Sequence, residues 1–132
     1  MAIFQKSQQV NNRRQEVVAK IFTTAPNATS TVVTQATNRS TGVTLNTTAG
    51  QITTNATSLA AGAEAKFVVT NNKVTASSVP VIAIASGQTA DTSVADVVAV
   101  ADGSFTIQLT NLNAATADTG ASVINFVILG VE

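Results

Sequence analysis

From about residue 29 the chain alternates apolar and polar residues with a period of two, the signature of half-buried strands. Short runs of this kind cover Thr31–Ala36, Gly42–Asn46, Gly50–Asn55, Ala65–Asn71, Val79–Ser86, Ala95–Ala101, Ser104–Thr110 and Ser122–Leu129. That makes about eight strands spaced near ten residues apart, the pattern of an all-β sandwich or barrel. Asn71–Asn72 marks a turn. Asp102–Gly103 between two alternating runs is a strong hairpin signal. Pro80 falls near the start of its run, where a missing donor is tolerated.

The clearest alternation is in Ser104–Thr110, with Phe105, Ile107 and Leu109 on one face and Thr106, Gln108 and Thr110 on the other. The last run, SVINFVIL, differs: Val123, Val127 and Leu129 lie on one face, Ile124, Phe126 and Ile128 on the other, and only Asn125 within it is polar. A strand apolar on both faces needs cover on both sides. One face can meet the opposite sheet. The face of Ile124, Phe126 and Ile128 is assigned to a subunit interface, the alternative cover for the second face being the chain's own N-terminal segment.

Residues 1–28 follow another pattern and are set apart from a domain spanning 29–132. Ser7 could cap a short helix with Val10, Val17 and Ile21 on one side and Glu16 four residues before Lys20. Asn11–Asn12 weakens that helix, and an extended arm fits equally well. Pro26 pushes Ala25 out of the helical region and ends the segment. Charge separates the two parts. Residues 1–20 hold Lys6, Arg13, Arg14 and Lys20 against Glu16, a net of +3. The remainder holds Arg39, Lys66 and Lys73 against Glu64, Asp91, Asp96, Asp102, Asp118 and Glu132, a net of −3. A basic arm on an acidic body is suited to docking on something negative.

Composition then narrows the chemistry. The 132 residues include 21 Thr and 22 Ala but no His, Cys, Trp or Tyr, and the only aromatics are five Phe. Chemistry near neutral pH draws on groups that titrate or attack there, and the commonest are missing. Zinc-type metal sites lack their ligands. Asp91 and Asp96, read as sharing one loop, lack the spacing and Gly of a calcium loop. No base accompanies the many hydroxyls in any nucleophilic arrangement. A carboxylate pair for glycoside hydrolysis is disfavoured by the few acids and the lack of a sugar-stacking aromatic. Gly50, Gly62, Gly87, Gly103 and Gly120 read as isolated turn glycines, not a phosphate loop. No cofactor is expected and no enzyme. Arg13–Arg14 alone is too little for nucleic acid, and Thr has no fixed solenoid period.

No stretch reaches the length of a membrane helix, and no apolar run at the N-terminus has signal-peptide length. Without Cys nothing points to an oxidising compartment. A chain made in the cytoplasm is expected. The sequons at Asn27, Asn38, Asn46 and Asn55 are then compositional. The core, built mainly of Val, Ile, Leu and a few Phe, is thin, and self-association would support it.

The run TQATNRSTGVTLNTTAGQITT (34–54) resembles a segment of small structural proteins of tailed bacteriophages. SLAAGAEAKFVVTN (58–71), DGSFTIQLTN (102–111) and SVINFVIL (122–129) are similar to the same group in order and spacing. The resemblance covers strand and turn patterns over most of residues 34–129, without a catalytic motif. It is to capsid decoration (cement) and head fibre-like proteins. It implies a compact β-domain, a jelly-roll-like antiparallel sandwich, often homotrimeric, on the outer capsid surface of a virion made in the host cytoplasm. The expected partners are the major capsid protein and the chain itself, not nucleic acid or membrane. Ile3 and Phe4 would anchor the arm on the capsid, and Lys6, Arg13, Arg14 and Lys20 would meet its acidic surface. The alternatives are a fibre or tail-associated module that binds a host surface and a carbohydrate-binding β-domain.

Overall fold

The computed structural model describes residues 31–130. The expected arm or short helix of residues 1–28, and with it Ile3, Phe4, Lys6, Arg13, Arg14 and Lys20, lies outside the described residues.

Eight strands follow in order: β1 (Val32–Thr34), β2 (Val43–Thr44), β3 (Ala49–Thr53), β4 (Glu64–Thr70), β5 (Val79–Ser86), β6 (Ser93–Ala101), β7 (Ser104–Asn111) and β8 (Val123–Leu129). No helix occurs among the described residues. The strands form two four-stranded sheets, β1-β3-β8-β5 and β2-β4-β7-β6. The all-β sandwich is thus as the alternation predicts, with one difference in strand direction. β1 pairs with β3 in parallel, and β2 with β4 in parallel; the other pairs are antiparallel. The cause is connectivity. Over its first four strands the chain crosses between sheets at every step and reverses each time, so alternate strands fall side by side in the same direction.

The core fills the space between the sheets. β4 and β7 contribute Phe67, Val69, Phe105, Ile107 and Leu109, and β3 and β8 contribute Ile52, Ile124, Phe126 and Ile128. Leu45, Leu59 and Val74 close it from the loops. The rings of Phe105 and Phe126 meet across the sandwich at 5.6 Å, tilted by 59°, a favoured aromatic geometry. Three of the five Phe residues are spent here, so shape rather than bulk sustains a core of branched aliphatics.

The predicted hairpin joins β6 to β7, Ala101 pairing with Ser104. Gly103 sits at a φ of 79°, a conformation that favours glycine. The turn is also tied to its neighbours: Gly103 N–H donates to Val74 O, its carbonyl accepts from Asn71 N–H, and the Asp102 carboxylate accepts from Ala76 N–H at 2.8 Å. Gly50, read as a turn glycine, instead lies inside β3. A Cβ there would come within 2.9 Å of both the Phe126 ring and the Thr31 carbonyl.

Candidate functional site

Register decides which face of each strand points outward. In the first sheet Ile52 lies opposite Ile124, and Ile124 opposite Ile84, so these residues share the inner side. Ile124, Phe126 and Ile128 are consequently 0%, 4% and 8% exposed, enclosed by the chain's own second sheet. The expectation that they form a subunit interface is therefore corrected: the contact they make is intramolecular. The open side of β8 is the other one, bearing Val123, Asn125, Val127 and Leu129.

That outer face continues across the sheet. Val32 and Thr34 lie beside Gln51 and Thr53, Gln51 beside Asn125, Ala49 beside Val127, Val127 beside Val81, and Leu129 beside Val79. Val32, Val79, Val81 and Leu129 are each 46–50% exposed. The four strands contain no Asp, Glu, Lys or Arg. The second sheet differs, with Glu64, Lys66 and Asp96 among its outward residues. A sheet face open to water is ordinarily polar, and contiguous exposed apolar surface marks interaction sites. Two shallow grooves score this face on either side of β8. One, of about 370 Å³, is lined by Thr31, Val32, Ala49, Gly50, Gln51, Asn125 and Phe126. The other, of about 260 Å³, runs beside Val81, Ala83 and Val127. Gln51 Nε2 donates to Asn125 Oδ1 at 2.9 Å, the polar pair in the middle of the face.

A second constructed region is the end of the sandwich where the loops 35–42, 54–63, 87–92 and 112–122 gather. Its centre is the pair Arg39 and Asp118, whose side chains are 4% and 0% exposed. Arg39 Nε donates to Thr57 O, and Nη2 donates to Asp118 O at 3.1 Å and Gly120 O at 2.6 Å. Nη2 also lies 3.5 Å from Asp118 Oδ1. The carboxylate accepts from Thr89 N–H and Gly120 N–H, both at 3.0 Å, and from Ser93 Oγ–H at 2.6 Å. Burial alone would raise the Asp118 pKa. The hydrogen bonds from Ser93, Thr89 and Gly120, with the charge of Arg39, outweigh it and hold the carboxyl below its ordinary value. Asn111 completes the knot by donating to the carbonyls of Leu59, Ala60 and Thr116. Loops that carry no repeating pattern are thereby fixed in place. Arg39 and Asp118 lie 79 residues apart, and in the sequence they stand out only as charges. The signal that could have found them is Arg39 itself, the one Arg of the body, set in a polar turn.

No group of three or more Asp and Glu side chains able to hold a metal occurs among the described residues. Asp91 and Asp96 do not share a loop: Asp96 is in β6 opposite Gln108, while Asp91 stands alone at a φ of 57°. The three described sequon asparagines are structural. Asn38 Oδ1 accepts from Ser40 N–H, Asn46 Oδ1 from Asn72 N–H, and Asn55 Oδ1 from Thr57 N–H and Oγ1–H. Asn27 lies outside the described residues. No helix is long and apolar enough to cross a membrane among the described residues. Comparison with protein families, curated proteins and solved structures finds no match.

Proposed function

We propose that this chain is a non-enzymatic structural protein of a tailed-phage virion, a decoration or cement protein on the outer capsid surface. The sequence resemblance suggests the class, and the distribution of charge is the observation that carries the mechanism. Burial of Arg39 removes the body's only arginine from its surface. The exposed charges of the described body are then Lys66 and Lys73 against Glu64, Asp91, Asp96 and Asp102. Basic charge is concentrated in residues 1–20. In this reading Lys6, Arg13, Arg14 and Lys20 hold acidic capsid surface, Ile3 and Phe4 add apolar anchors, and the body braces neighbouring capsid subunits against the packaged genome. The body itself assembles as a homotrimer. Binding through charge weakens as salt screens it. Co-sedimentation with capsids of the same phage, over a salt series, tests this: association that falls as salt rises supports the reading, and no association at low salt rejects it.

A second reading, a fibre or tail-associated module binding a host surface, draws support from the rigid loop end around Arg39 and Asp118. Adsorption to host cells, with none to capsids, would favour it.

A further inference from the structure

We propose that the free edge of β5 pairs antiparallel with β5 of a second copy of this chain, Ile82 opposite Ile84 and Ala83 opposite itself on a twofold axis. The outermost strands are β1 and β5 in one sheet and β2 and β6 in the other. An open edge presents unpaired backbone groups that recruit another strand, and proteins guard it with brevity, charge, proline or a bulge. β1 has three residues and β2 two. β6 carries Asp96 and is broken by a bulge between Val97 and Ala99. β5 is eight residues long and uncharged, and its guards stand near its ends: Pro80 at one, a bulge between Ile84 and Ser86 at the other. Residues 81–84 between them are regular strand.

Register tells which backbone groups face that edge. Ile128 N–H donates to Thr48 O at 2.7 Å, on the β3 side of β8. Ile128 therefore turns its backbone groups away from Pro80, its partner in β5, and Pro80 turns its own away from β8. Alternate residues repeat the direction, so Ile82 and Ile84 also point N–H and C=O outward. The donor that Pro80 lacks is thus missing from the open edge. With Ile82 opposite Ile84 of the second copy, every N–H and C=O of these residues finds a partner across the axis. Pro80 then falls opposite Ser86, beyond the bulge. Moving the register two residues one way sets Ile84 against Pro80, which has no N–H to give. Moving it the other way sets Ile82 against Ser86. Side chains match in the favoured register: Ala83 meets Ala83 and Val81 meets Ala85, with no charge on either side. The pairing fuses two uncharged outer faces into one eight-stranded sheet. The contact is twofold, so it is separate from the threefold one proposed above and joins chains in pairs, single or already trimeric.

Ala83 is exposed, so changes there spare the core. In such a pair its two Cα atoms would stand about 4.5 Å apart, within the roughly 4.4–6.8 Å that a disulfide spans. The chain has no Cys, so Ala83→Cys in the full chain supplies a single thiol. Air oxidation should give a reducible two-chain band on a denaturing gel. Val68→Cys, exposed on the outer face of the second sheet, should give none. Ala83→Lys sets like charges against each other on the axis and should halve the mass found by sedimentation equilibrium. Mixing Ala83→Lys with Ala83→Glu should restore it. Far-ultraviolet circular dichroism of each variant confirms the β-fold. A mass unchanged by Ala83→Lys, a mixture that does not recover, no two-chain band from folded Ala83→Cys, or an equal band from Val68→Cys would each overturn the proposal. None of these readouts involves capsids, so their failure is distinct from failure of the capsid reading.

Discussion

Replacing Asp118 with Asn changes almost nothing in shape and removes one buried charge. Asn keeps an oxygen that can accept from Thr89 and Gly120 N–H, and its amide can donate to Ser93 Oγ. What is lost is the partner of the Arg39 guanidinium, which is enclosed with it. Removing one member of a buried pair costs roughly 3–5 kcal/mol. Arg39 retains its bonds to three backbone carbonyls, so the low end applies, about 3 kcal/mol. For a domain near this size that lowers Tm by about 10 °C. Urea unfolding measures it as a lower midpoint at unchanged slope. A double variant, Asp118→Asn with Arg39→Met, should recover much of the loss, because it leaves no unpaired charge. The pH dependence has a fixed sign. Asp118 has a depressed pKa in the folded state, so its contribution is full above the ordinary value of 3.8 and is lost as pH falls through the lower folded value. Wild type and Asp118→Asn should therefore differ by a constant amount at neutral pH and converge in strong acid. A Asp118→Asn variant within about 0.5 kcal/mol of wild type at pH 7, the range of ordinary surface changes, would refute the assignment of Asp118 and Arg39 as the knot of the loop end.

Other substitutions separate the two faces and the turns. Phe126→Ala should cost about 3–5 kcal/mol in urea unfolding, whereas Val81→Lys on the outer face should cost about 1 kcal/mol or less; similar losses would contradict the inward assignment of Phe126. Gly87 and Gly103 both hold positive φ, but a Cβ at Gly87 would come within 2.0 Å of the Ala121 carbonyl while one at Gly103 meets open space. Gly103→Ala should cost about 1–2 kcal/mol, and Gly87→Ala distinctly more, compared by thermal melting.

Strand positions were legible because alternation is a local property. Phe105, Ile107 and Leu109 announce their face, and Asp102–Gly103 announces its turn. β8 shows where such reading ends. With apolar residues on both sides, period alone cannot say which face turns inward, and the answer comes from its register against β3 and β5. Strand direction was hidden for a related reason. Residues 45–48, between β2 and β3, look like a hairpin connection but carry the chain from one sheet to the other. Arg39 and Asp118 left only the trace of a lone arginine in a polar turn, because loops have no period and the pair is joined only by the fold. The charge-free outer face became visible once register assigned its members; its sequence signal was the absence of charge from four separate runs.

The central claim, that the basic N-terminal segment joins this sandwich to a capsid, is tested most directly by comparing the full chain with residues 21–132 in quantitative co-sedimentation with capsids at low salt. The truncated chain should keep the circular dichroism and melting of the full chain and stay in the supernatant while the full chain pellets. Equal pelleting of both would contradict it.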